Sequence, residues 1–244
     1  MGMGRMLQWD EMDDAALEDA YAYPAESSDQ TWVRVNFVST LDGAAQGGDD
    51  LSGSLSSEAD KRVFALLRSL ADVVLVGSGT AAAEKYAPVK PSEIDVVLRA
   101  RLGLAPSLPI AVVSKSLHVP EALLAPGQLV ITTATAPAER LAALRKQIDV
   151  IAVGEDAIDW PAALRALGER GLQRISCEGG PSLHGALAAE DLVDELCLTL
   201  SPLVVAGESA RITDATSSVE HRMSLAHAIQ ADDMLLTRYT RIRV

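Results

Sequence analysis

Residues 73–86 read VVLVGSGTAAAEKY. With Asp72 they open on DVVLV, a continuous apolar run, the mark of a strand buried on both faces. Gly77 and Gly79 follow, and Thr80 can cap a helix that begins near it. Strand, glycine turn and helix in this order form the repeating unit of an α/β protein. Glycines let the backbone approach a ligand closely, and a helix N-terminus offers unpaired N–H groups to a phosphate. Gly77, Gly79 and Ala82 satisfy the dinucleotide pattern G-x-G-x-x-G/A. A tight strand-to-helix turn without a ligand reads the same way.

The rest of the chain agrees with that unit. Of 244 residues 48% are hydrophobic and only 4% aromatic, so small residues on helices pack against branched strands. This composition suits a folded α/β domain and excludes a disordered chain. Residues 31–38, TWVRVNFV, read as the first strand of the domain. A long loop follows, and residues 56–71 then read as a helix with Val63, Leu66, Leu67 and Leu70 on one face and Ser57 and Asp60 placed as a capping box. Strands are expected at 108–114, 128–133, 150–153, 172–177 and 193–205, and helices at 138–147, 160–170 and 183–189. Residues 234–241 close the chain as an antiparallel strand. The expected architecture is a single α/β domain over 31–244. Its mixed central sheet is mostly parallel, with antiparallel C-terminal strands and helices on both faces. Residues 1–30 read as an acidic N-terminal extension: one helix ending before Pro24, loosely docked, and then a polar link.

The formal charge of −13 speaks against nucleic acid or an anionic membrane as partner. Eight acids against Arg5 alone fall in the first 30 residues, so the remainder carries about −6. No targeting signal or membrane-span pattern stands out, and a cytoplasmic protein is expected. Cys177 and Cys197 sit singly in apolar runs, and the four histidines are scattered without metal spacing.

A second glycine turn, RISCEGGPSLHGALAAE, repeats the physics of the first: a strand to Cys177, then Gly179 and Gly180, then Pro181 at a first helical position with Ser182 behind it. Two such strand ends point to a pyrophosphate held at one edge of a sheet. Glu178 lies at the mouth of this turn and is read as a ligand contact. Asn36, Ser39 and Asp42 could bond a polar heterocycle, or Asp42 could simply close a turn before Gly43. Arg68 could clamp a phosphate or be a charge near a helix C-terminus. The strand end VVSKS, residues 112–116, suits a 2′-phosphate but is also ordinary for a polar strand end. No nucleophile elbow, Walker loop or metal motif is present, so the chemistry falls to a bound cofactor, and hydride transfer fits.

The stretches NFVSTLDGAA, SSEADKRVFALLRSLADVVLVGSGTAAAEKY and ISCEGGPSLHGALAAEDLVDELCLTLSPLVVAG resemble the pyrimidine reductases of riboflavin biosynthesis, specifically the RibD C-terminal reductase domain and its stand-alone relatives. The likeness runs from about residue 32 to 241 in the family's order. It implies a dihydrofolate-reductase-like fold, NADPH as cofactor, a homodimer, and reduction of 5-amino-6-(5-phosphoribosylamino)uracil to its ribityl form. It places Thr80, Glu84, Ser114, Val153, Gly154 and the run Gly179, Gly180, Pro181, Ser182 and Leu183 on the cofactor. Asn36, Ser39, Asp42 and Glu178 then face the substrate and Arg68 meets its phosphate, with Asp42 and Glu178 the candidate acids. Neither the H-x-E nor the PC-x-x-C element of the deaminase domain occurs. The basic residue that often follows the GT-containing helix is replaced by YAPVKPSE, leaving Lys85 and Lys90 as candidates. Two other readings stay open: a dihydrofolate-reductase-like enzyme acting on a pterin, and a non-catalytic NADP(H)-binding protein.

Overall fold

A computed structural model describes residues 4–25, 30–218 and 220–243. The expected polar link over 26–30 lies mostly outside the described residues. Ten strands among the described residues form one mixed sheet. They are β1 (Arg5–Gln8), β2 (Trp32–Thr40), β3 (Val73–Gly77), β4 (Ile110–Val113), β5 (Leu129–Thr132), β6 (Asp149–Ala152), β7 (Arg174–Cys177), β8 (Glu195–Ser201), β9 (Met223–Ala231) and β10 (Met234–Arg241). The order across the sheet is β1-β9-β10-β8-β2-β7-β3-β4-β5-β6. From β8 to β6 every pairing is parallel, whereas β10 runs antiparallel to both β8 and β9.

The helices are α1 (Asp14–Tyr21), α2 (Glu58–Leu70), α3 (Ser78–Ala83), α4 (Val96–Arg101), α5 (Ala138–Leu144), α6 (Trp160–Gly168) and α7 (Pro181–Ala189). Alternation along β3 shows why its sequence is apolar throughout. Val73 and Leu75 pack with Ile175, Leu164 and Leu187 on one face, while Val74 and Val76 pack with Ala81, Ile110 and Val112 on the other. On α2, Val63, Leu67 and Leu70 are buried, each contributing about 1.5–3 kcal/mol by leaving water. Ser57 Oγ accepts from Asp60 N as expected, but the Asp60 carboxylate turns to Ser56 Oγ, so only half of the capping box forms. None of the described helices is long and apolar enough to cross a membrane.

The N-terminal segment is not a loose lead-in. It opens with β1, which pairs in parallel with β9 and extends the sheet by one strand. In α1, Leu17 and Tyr21 are both 1% exposed and join Val63, Leu67 and Ile229 in one core. Two of its three acids are paired across elements: Asp14 with Arg62 at 2.6 Å, and Glu18 with Arg101. Counting charges obscured the i, i+4 apolar pair that does the docking. At the end of α1 the fully buried ion pair Arg34–Glu195, 2.6 Å apart, meets the chain. Arg34 donates to Tyr21 O, while Arg238 bonds Glu195 and also the carbonyls of Ala20 and Ala22.

Two further elements escaped the sequence reading. Helix α4 is one short turn pair, capped by Asp95 Oδ1 on the amides of Val97 and Leu98. Strand β9 was not among the expected strands, because His227, Ser224 and three alanines dilute its β signature.

Candidate active site

Strands β3 and β7 are parallel neighbours, so their two glycine turns emerge side by side at the C-terminal edge of the sheet. Gly77 N–H donates to Gly179 O at 2.8 Å and Glu178 N–H to Leu75 O at 2.9 Å, which joins the turns into one rim. Glycine is required there. Gly179 has φ +86°, and a Cβ on it would sit 2.8 Å from Phe37. A Cβ on Gly180 would lie 2.4 Å from Thr80 Oγ1, filling the groove between the turns. Helix α7 starts at Pro181 with no side-chain cap, so the amides of Ser182 and Leu183 have no partner within the helix. They are donors available to an anion.

A cleft of about 650 Å³ opens along this rim. Its walls are Gly77, Ser78, Gly79 and Thr80, the β4 end from Val113 to Ser116, the approach to α6 with Ala157, Ile158 and Trp160, and the start of α7 with Gly180, Pro181, Ser182 and Leu183. Ser114 is on the wall, buried, with its hydroxyl donated to His118 O. Val153 and Gly154, expected along a dinucleotide, are not on it. Val153 packs into the core, and Gly154 (φ +76°) turns the chain so that Ala157 and Ile158 take that place. These two and Trp160 went unnoticed because apolar residues beside a helix read as core.

A second cleft of about 600 Å³ adjoins the first, and both are lined by Thr80, Gly180 and Pro181. Asn36 and Phe37 of β2 form part of it. At its inner wall Arg68 grips Glu178 through two bonds of 2.7 Å, and the Tyr86 hydroxyl donates to the same carboxylate at 2.6 Å. The side chain of Glu178 is only 2% exposed. Burial and then the charge of Glu178 push the Tyr86 phenol well above the tyrosine range, so it stays a donor. Burial opposes the charge on Arg68, but Glu178 outweighs it and holds the guanidinium above its ordinary value. Arg68 also stacks 4.4 Å over Phe64.

Arg68 therefore spends its Nε and Nη2 on Glu178, and its Nη1 lies 4.0 Å from Glu93. The other cations along this cleft are Lys85, Lys90 and Lys61, the last paired with Glu58 at 2.8 Å in an exposed ion pair. Glu84, expected on the cofactor, stands in the second cleft and accepts from Ser52 N and Oγ. Asp42 and Ser39 line neither cleft. Asp42 is exposed and takes bonds from the Thr40 hydroxyl and the amides of Val205 and Ala206, which hold its carboxyl below the ordinary range. It fastens a loop. Ser39 is buried with its hydroxyl on Thr40 O. Tyr86 was missed because a single tyrosine after a helix has no telling spacing.

The family model described as the RibD C-terminal domain matches residues 31–236. A 2,5-diamino-6-ribosylamino-4(3H)-pyrimidinone 5′-phosphate reductase of Archaeoglobus fulgidus is 30% identical over 192 residues, covering 76% of this chain and 87% of that protein. The reductase of the same name from Methanothermobacter thermautotrophicus is 28% identical over 224 residues, 86% of this chain and 97% of that one. Among solved structures, a pyrimidine reductase-like protein from Corynebacterium diphtheriae superposes with a TM-score of 0.82 at 26% identity, covering 93% of this chain and 99% of that chain.

Proposed function

Because the chain belongs to the RibD C-terminal domain family, we propose that it reduces a 6-(5-phosphoribosylamino)pyrimidine of riboflavin biosynthesis, converting the ribosyl group to a ribityl chain with NADPH. The observation that carries this reading is the junction of the two clefts at Thr80, Gly180 and Pro181, with the Glu178 carboxylate buried beside it. The first cleft fits the dinucleotide: its rim stays open between Thr80 and Gly180 because Gly180 lacks a Cβ, and α7 presents free amides there. Ser182 and Leu183 would hold the pyrophosphate, and the β4 end with Ser114, Lys115 and Ser116 the adenosine end. NADPH, when bound, supplies a hydride.

The second cleft holds the pyrimidine and its sugar. All three bonds to Glu178 come from donors, which is how a carboxylate is satisfied. Glu178 thus acts as an acceptor, orienting the amine that joins sugar to ring and holding the proton that moves when the sugar ring opens. Lys61, Lys85 and Lys90 line the same cleft and suit the substrate phosphate. The same reading gives a cytoplasmic homodimer. Leu41, just past β2, and Leu203 and Val204, just past β8, are exposed apolar side chains on segments joined by the bond from Leu41 N–H to Leu203 O, and they suit contact with a second copy.

The test is to follow NADPH absorbance and product mass with three substrates: the phosphoribosylaminouracil, its 2,5-diamino counterpart and dihydrofolate. Ribityl product from either pyrimidine supports the reading. Turnover of dihydrofolate alone would make this a pterin reductase. Tight NADPH binding without turnover of any of the three would make it a binding protein.

A further inference from the structure

Beside the first cleft, His118 at the turn after β4 and Arg140 on α5 stand behind Ser116. Lys115 and Ser116 line the cleft. The His118 ring Nδ1 lies 2.8 Å from Ser116 Oγ, and its Nε2 lies 3.1 Å from Arg140 Nη1, which also donates to Ser116 O at 3.2 Å. A guanidinium can only donate, so His118 Nε2 must accept and its single proton sits on Nδ1. Nδ1–H then donates to Ser116 Oγ, whose own hydroxyl proton is left to serve a further acceptor. The backbone is built around this arrangement. Leu117 adopts φ +58°, a conformation costly for a branched side chain, and is kept there by burial of that side chain and by the Ser114 hydroxyl on His118 O. A strained turn that sets a lysine and an oriented hydroxyl on a cleft wall has the chemistry to receive a phosphate dianion.

We propose that Arg140 and His118 are positioning residues that fix Ser116 as a donor to the phosphate on the adenosine ribose, and so make the protein prefer NADPH to NADH. The proposal rests on the first cleft being the dinucleotide site, and it assigns the preference to a relay rather than to positive charge alone.

Equilibrium binding of NADPH and NADH to the full chain, by calorimetry, tests it with four variants. In His118→Asn the amide nitrogen replaces Nδ1 and still donates to Ser116. In His118→Gln the amide reaches Arg140 but nothing donates to Ser116, although every charge is kept. The relay predicts NADPH affinity within about twofold of the parent for His118→Asn, and a loss of about tenfold, one hydrogen bond's worth, for His118→Gln, Ser116→Ala and Arg140→Gln. NADH affinity and the melting temperature stay unchanged throughout. Equal behaviour of the Asn and Gln variants, or variants that keep the parent's preference, would overturn the relay. A parent that binds both nucleotides equally would overturn it too, leaving the dinucleotide site intact. Binding of neither nucleotide would remove the site and the relay together.

Discussion

Gly180 faces Thr80 across a gap too narrow for a methyl group. Gly180→Ala should cost about 1–3 kcal/mol, read from urea unfolding, because the neighbour must shift. Thr80→Ala removes the colliding Oγ1, so the double variant should recover most of that loss, and additivity of the two changes would refute the contact. Glu178→Gln keeps the shape of the side chain but not its charge. Activity should fall about 10²–10⁴-fold while NADPH affinity holds, as steady-state kinetics and binding will show, and some stability is lost because the buried Arg68 guanidinium loses its counter-charge. Tyr86→Phe, which leaves one carboxylate oxygen with one donor fewer, should lower kcat/KM about tenfold. The two glycine turns could be located in the sequence because few residue types other than glycine fit where Gly179 takes φ +86° and Gly180 faces Thr80, and Glu178 was picked out by standing next to them. Asp42 misled because an aspartate before glycine serves a turn as readily as a ligand, and its bonds to Val205 and Ala206 are invisible from local sequence.

The N-terminal strand and helix are tied in by buried charge. Glu195 is fully buried and accepts from Arg34, Arg238 and Trp32. Glu195→Gln leaves two guanidinium groups without a counter-charge and should cost about 3–5 kcal/mol of unfolding free energy. His227, on β9 beside the N-terminal strand, packs edge-on against Tyr21. Burial, and then the nearby Arg238, push its pKa down to about 4. The unfolded chain takes up this proton near pH 6.5 and the folded one only near 4, so stability falls as pH drops through that window. Between pH 7 and 5 the loss from this group is on the order of 2 kcal/mol. His227→Leu should flatten that part of the pH–stability curve in urea titrations, and an unchanged slope would count against it. Most of the central elements were readable, since VVLV and TWVRVNFV announce strands whatever surrounds them. β1, α4 and β9 were not. Strand β1 is short and owes its shape to a partner distant in sequence, with Arg5 matched to His227; α4 is a six-residue helix held by the local Asp95 cap; and β9 is diluted by alanines although it pairs with the adjacent β10.

At the level of the molecule, both clefts follow from strand order. Placing β7 between β2 and β3 brings Asn36, Gly77 and Glu178 to one edge, although they are far apart along the chain. Ligands of open α/β sheets sit outside the carboxyl ends of the strands, where these residues lie. The net acidic charge of the chain gives an anionic ligand no help there, so its attraction falls to the local donors, the backbone amides at the start of α7. The central claim is that the two clefts are one active site. Its most direct measurement is mass spectrometry of the phosphoribosylaminopyrimidine after incubation with the full chain and NADPH, beside a count of NADPH consumed. The account predicts a product heavier by two hydrogens, formed one for one with NADPH lost and about 10²–10⁴-fold more slowly by Glu178→Gln. A pyrimidine of unchanged mass, in the presence of bound NADPH, would contradict it.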